Sequence, residues 1–178
     1  MVQQITLILT FSFIMPSFAQ VRWSGNTAIA WSNFKGVPEQ SNNLKALTHT
    51  SLSMQYNCNK RCIYYKVEAV FNEHDSWVAD PTDILLVHEQ DHFNIQEIFA
   101  RKIRKYLQEC FKNNTPGDTI HVNVDRLTQE CSRYQARYDS ETDHSRNSRR
   151  QKAWSDKISS QLHSLKQYAD TEFSNCVD

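Results

Sequence analysis

The stretch Ile84 to Cys110 contains neither glycine nor proline, and its apolar residues Ile84, Leu85, Val87, Ile95, Phe99, Ile103 and Leu107 recur at helical spacing. Pro81-Thr82-Asp83 just before it supplies helix-start chemistry, and Asn113-Asn114-Thr115-Pro116-Gly117 just after it is a loop signal. The chain must therefore organise itself around one long central helix.

Upstream of that helix the pattern is extended. Ser51 to Tyr56 and Cys62 to Phe71 are rich in aromatic and β-branched residues and are separated by a short polar turn, as the arms of a hairpin would be. Residues 27–36 alternate around Ile29, Trp31 and Phe34 before Gly36 and Pro38, which predicts a further strand and turn. Downstream, two more helices are predicted, one carrying Leu127, Cys131, Tyr134 and Tyr138, the other Trp154, Ile158, Leu162, Leu165 and Tyr168. The polar segment Asp139 to Arg150 reads as the loop between them. Strands first and helices second imply an α+β domain with a small, mostly antiparallel sheet packed on the long helix.

Residues 1–19 carry no charge and contain the apolar run Ile5 to Met15, then Pro16 and the small residues Ser17 and Ala19. This predicts a signal peptide over 1–19, a single domain over 20–178, and a secreted or periplasmic destination. The apolar run is too short for a helix to span a hydrocarbon core of about 30 Å, so no stable membrane insertion of the mature chain is expected. Lys and Arg total 20, as do Asp and Glu, and this balance argues against a nucleic-acid partner.

The chain has 5 cysteines, and an oxidising destination would pair them. Spacing favours Cys58 with Cys62 at the hairpin tip and Cys110 with Cys131 between two helices, leaving Cys176 over.

His88-Glu89-Gln90-Asp91-His92 satisfies His-Glu-x-x-His, and it lies inside the central helix, the setting in which that spacing has chemical meaning. One helical turn separates the imidazoles, so both can bind one Zn²⁺ per chain, with Glu89 about 100° round the helix beside the ion's water. Glu89 is then the candidate general base. A third donor must come from elsewhere. Glu97 is about 140° round the helix from His92 and is expected to pair with Arg101 instead. His144 in the polar segment is the better candidate. Tyr138 is nominated as donor to the oxyanion. His49, His74, His121 and His163 are expected to be ordinary residues, and Arg146, Arg149, Arg150 and Lys152 a solvated face.

The string Leu85 to Glu97, followed by Ala100-Arg101, resembles the signature of a bacterial family described as secreted zinc-dependent proteases, domain of unknown function 922. Trp31 to Pro38, Ser76-Trp77-Val78, and Tyr138 to His144 with Gln151 and Trp154 resemble its other motifs in the same order. The resemblance implies a zincin-like fold in which an edge strand, here Val67 to Phe71, holds an extended peptide or protein substrate. It also implies His144 as third ligand. Asp91 and Ser145 stand where the family pattern has glycine, and Asn94 where it has aspartate. The expected function is peptide-bond hydrolysis, the alternative a non-catalytic zinc-binding exported protein that serves as an envelope binding or assembly module.

Overall fold

The computed structural model describes residues 20–38, 44–58 and 61–177. The expected signal peptide and the tip of the hairpin lie outside the described residues. The elements are β1 (Gln20–Arg22), β2 (Ala46–Leu47), β3 (Thr50–Cys58), β4 (Cys62–Asn72), β5 (Trp77–Val78), α1 (Asp83–Lys112), α2 (Gly117–Thr142), α3 (Ser148–Ser164) and β6 (Glu172–Cys176). Among the described residues the fold is α+β, with a small four-stranded antiparallel sheet, a separate β2–β5 pair and three α-helices.

The hairpin forms as its composition predicts, with β3 and β4 antiparallel from Thr50↔Phe71 to Cys58↔Ile63. On its other side β4 pairs with β1 near Val70–Asn72 and with β6 over Cys62–Lys66, and Val67 N–H donates to Thr171 O at 2.9 Å. Val67–Phe71 is therefore an interior stretch with both edges occupied, and the expectation that it is an open edge fails. Its period-2 alternation buries Ile63, Tyr65, Val67, Ala69 and Phe71 against α1.

Thr82 caps α1, its hydroxyl accepting from Leu85 N–H at 3.2 Å. Phe93, Ala100, Ile103, Leu107 and Cys110 share a core with the sheet and the start of α2. Ile95, Ile98 and Phe99 join Cys131, Tyr138, Trp154 and Ile158 of α2 and α3 in a second core. The helix is thus enclosed between the sheet and the two later helices. Glu97, 1 % exposed, binds Arg101 Nε at 2.8 Å and Arg104 Nη1 at 2.9 Å, so its structural role is as expected. Arg104 also donates to Val67 O, Tyr168 O and Ala169 O, which ties sheet, helix and C-terminal segment together.

Three expectations are corrected. Residues 27–36 form no strand: Trp31–Asn33 is a 3₁₀ turn, and the segment lies on α1 through Ile29 N–H donating to Gln90 Oε1 at 2.8 Å. Gly36 is needed there, because a Cβ would stand 2.8 Å from the carbonyl oxygens of His74 and Ser76. The disulfide is Cys62–Cys176, joining direct ladder partners, while Cys58, Cys110 and Cys131 are free thiols. Cys58 pairs in register with the core-facing Ile63, so it and Cys62 project from opposite faces of the hairpin. Cys110 and Cys131 belong to different cores on different sides of α1. Finally, α2 continues to Thr142, so Asp139 is helical and the connection to α3 is short.

Candidate metal centre

His88 and His92 project from the same side of α1, with ring centroids 4.8 Å apart and ring planes at 89°. Their Nε2 atoms are 3.2 Å apart. Asp139, carried by α2, places Oδ1 at 3.1 Å from Nε2 of His88 and 2.8 Å from Nε2 of His92. Four ligands about 2.0–2.1 Å from a tetrahedral zinc are about 3.3 Å from each other, so these separations match one coordination sphere. Among the described residues these three side chains form a group able to hold a metal ion.

The hydrogen-bond partners of the two rings point their Nε2 atoms the same way. His92 Nδ1 meets Gln135 Oε1 at 2.6 Å, and that amide is oriented by its Nε2 donating to His92 O at 3.0 Å. His88 Nδ1 meets Gln151 Oε1 at 3.0 Å. Amide oxygens only accept, so each Nδ1 carries the ring's proton and each Nε2 directs a lone pair toward the Asp139 carboxylate. Three electron-rich atoms converging on one point require a cation between them, either a proton or a metal. The donor chemistry fits zinc, for which imidazole nitrogen and carboxylate oxygen are ordinary ligands.

Electrostatics reflect that demand. Burial opposes charge on His92, but Asp139 beside Nε2, Glu89 nearby and the acceptor at Nδ1 outweigh it and raise its pKa to about 9. Burial likewise opposes ionisation of Asp139, yet the two imidazoles hold it well below the usual carboxylate range.

Glu89 is 3 % exposed and has no hydrogen-bond or ion-pair partner among the described residues. It lines a cleft of about 250 Å³ together with His88, His92 and Asp139. Leu44–Thr48, Leu85 and His144–Arg146 line it as well. Among the described residues β2 pairs with β5 alone, through Ala46↔Val78 and Leu47↔Trp77.

The structure thus brings His88, Glu89 and His92 together and adds Asp139, which sequence reasoning missed. The signal was present: Gln135, Tyr138, Asp139 and Thr142 follow i, i+3, i+4, i+7 spacing and share one helix face. His144 lies in the same cleft with 43 % of its side chain exposed, its Nδ1 3.8 Å from Asp139 Oδ1, outside the three-donor group. It is held there by a turn with left-handed Asp143, His144 and Ser145, at φ 51°, 49° and 72°. Ser145 therefore occupies a conformation that favours glycine. Tyr138 does not face the cleft as an oxyanion donor. It is fully buried, stacks on His88 at 4.6 Å, and donates to His88 O at 3.3 Å. Burial and the Asp91 charge raise the pKa of its phenol. His49 pairs with Asp75 and His121 with Tyr56, and neither lines the cleft, nor do His74 and His163. Arg149 and Arg150 are exposed, Lys152 pairs with Asp156, and Arg146, which lines the cleft, pairs with Asp143.

Comparison of the chain with family models, with characterised proteins and with solved structures finds no match. Among the described residues no helix is long and apolar enough to cross a membrane.

Proposed function

We propose that this chain is an exported zinc-dependent peptidase, with His88 and His92 as ligands and Asp139 as the third protein donor. The observation that carries the reading is Glu89, a buried carboxylate with no hydrogen-bond or ion-pair partner among the described residues, beside two imidazoles whose Nε2 atoms converge. When bound, zinc would acidify water and polarise the scissile carbonyl. Glu89 accepts the proton of the attacking water on a carboxylate oxygen and delivers it to the leaving amide nitrogen. An extended substrate lies along Leu44–Thr48, whose strand β2 has one edge turned away from β5. His144 faces the same cleft and is placed to donate to the developing oxyanion. The motif resemblance to secreted zinc-dependent proteases and the disulfide are consistent with this reading.

The test is Glu89→Gln. Zinc content stays near one equivalent, and cleavage of an unstructured protein substrate disappears; unchanged cleavage rejects the mechanism.

Specific observations favour two alternatives. His144, with Nδ1 3.8 Å from Asp139 Oδ1, would take the third ligand position if its exposed side chain turned inward, as its motif implies. A non-catalytic role is favoured by the placement of the donors on two different helices, which an ion would clamp together. Under that reading Glu89→Gln changes nothing, and His88→Ala releases metal and loosens the fold.

A further inference from the structure

We infer that Gln151 is a positioning residue for His88, and that buried Asp91 is what sets its orientation. This deepens the metal-centre reading and rests on it. An amide side chain can present either its oxygen or its nitrogen to a neighbour, and only its surroundings decide which. Gln151 Nε2 is surrounded by oxygen: Tyr138 OH at 2.6 Å, Asp91 Oδ2 at 3.1 Å and Ser155 Oγ at 3.3 Å. Asp91 also accepts from Ser155 Oγ and from Asn94 Nδ2, so it acts as an acceptor toward each of its neighbours. The NH₂ of Gln151 must therefore face Asp91, and Oε1 is turned to His88 Nδ1 at 3.0 Å. That fixes the proton on Nδ1 and leaves Nε2 of His88 open to an ion.

The residues involved are nearly sealed from water, Asp91 and Gln151 at 5 % exposure and His88 at 2 %. Solvent cannot substitute for a lost partner there, so reversing the amide would set its NH₂ against the Nδ1 proton. The side chain at position 91 thus has a defined task. Neither Asp91 nor Gln151 touches the cleft.

Two measurements decide the matter, both on the full mature chain: zinc affinity by chelator competition, and the His88 tautomer by long-range ¹H–¹⁵N NMR of metal-free protein. Gln151→Met, close in volume but without an amide, is expected to weaken zinc binding about 10- to 100-fold. It is also expected to give His88 a mixture of tautomers. The swap Asp91→Asn with Gln151→Glu keeps an acceptor toward His88 and a donor–acceptor pair behind it, and should restore affinity to within about threefold of wild type. Gln151→Met with wild-type affinity and an unchanged tautomer overturns the inference. So does a swap that binds no better than Gln151→Met. If Gln151→Met does not fold, the swap and the wild-type tautomer decide instead. Wild-type protein showing His88 with its proton on Nδ1 but no zinc binding would reject the metal reading and leave the positioning role standing.

Discussion

Asp139 reaches from one helix to place Oδ1 2.8 Å from Nε2 of His92 on another, and the same oxygen is 3.1 Å from His88. A contact between residues so far apart in the chain makes the site a product of tertiary packing and gives it a clear mutational signature.

Asp139→Ala is expected to lower zinc affinity by at least about 100-fold, because it removes one of three protein donors. His144→Ala is expected to retain the ion and to reduce kcat with little change in metal content. Metal analysis of the two variants side by side checks this. Loss of zinc in His144→Ala with retention in Asp139→Ala would make His144 the third ligand.

Zinc affinity should rise with pH. The metal-free His92 has its pKa raised to about 9 by the Asp139 carboxylate against the opposing effect of burial, so at neutral pH it holds a proton that the ion must displace. The expected slope is about one log unit of affinity per pH unit between about pH 6.5 and 8.5. The stability of the metal-free protein moves the other way. His92, raised above its free value of 6.5, contributes fully below about pH 6.5, and the contribution is lost as pH rises through about 9. Asp139, depressed, contributes above its free value near 3.9 and loses that contribution as pH falls. Chelator-treated protein should therefore be least stable, as far as this pair is concerned, at the two ends of a titration followed by urea unfolding.

Glu97→Ala leaves Arg104, a fully buried cation, without its carboxylate partner. Breaking such a pair costs about 3–5 kcal/mol, measurable as a drop in the urea midpoint. Its backbone acceptors Val67 O and Tyr168 O remain, which places the expected value at the lower end.

The Cys62–Cys176 bridge closes a sequence separation of 114 and holds β6 on the sheet. Cys176→Ser should destabilise the protein by about 2–4 kcal/mol. Thiol titration of the unfolded, unreduced wild type should count three free thiols, Cys58, Cys110 and Cys131; a count of one would mean a second disulfide and contradict this pairing.

Short-range features were legible in the sequence. The hairpin of β3 and β4 and the span of α1 follow from alternation, helical periodicity and the cap at Thr82, all of which are local. His88, Glu89 and His92 share one turn of one helix, so their convergence was also readable. What escaped depended on distant partners. Asp139 sits at the start of a polar run that composition assigns to a loop; the helical spacing of Gln135, Tyr138, Asp139 and Thr142 is there, but three of the four are polar, so the stripe does not stand out as the buried face of α2. The cysteine pairing turned on which face of β4 each sulfur occupies, which register decides. Residues 27–36 alternate like a strand, but the backbone donors of Ile29 and Ala30 find the Gln90 and Asn33 side chains, and those of Asn33 and Phe34 close a 3₁₀ turn, instead of pairing with a neighbouring strand.

The most direct measurement is the zinc content of the purified protein after expression with zinc available and without chelator. About one equivalent per chain, lost in His88→Ala, is the expected result. Less than about 0.2 equivalents in the wild type would contradict the account at its foundation.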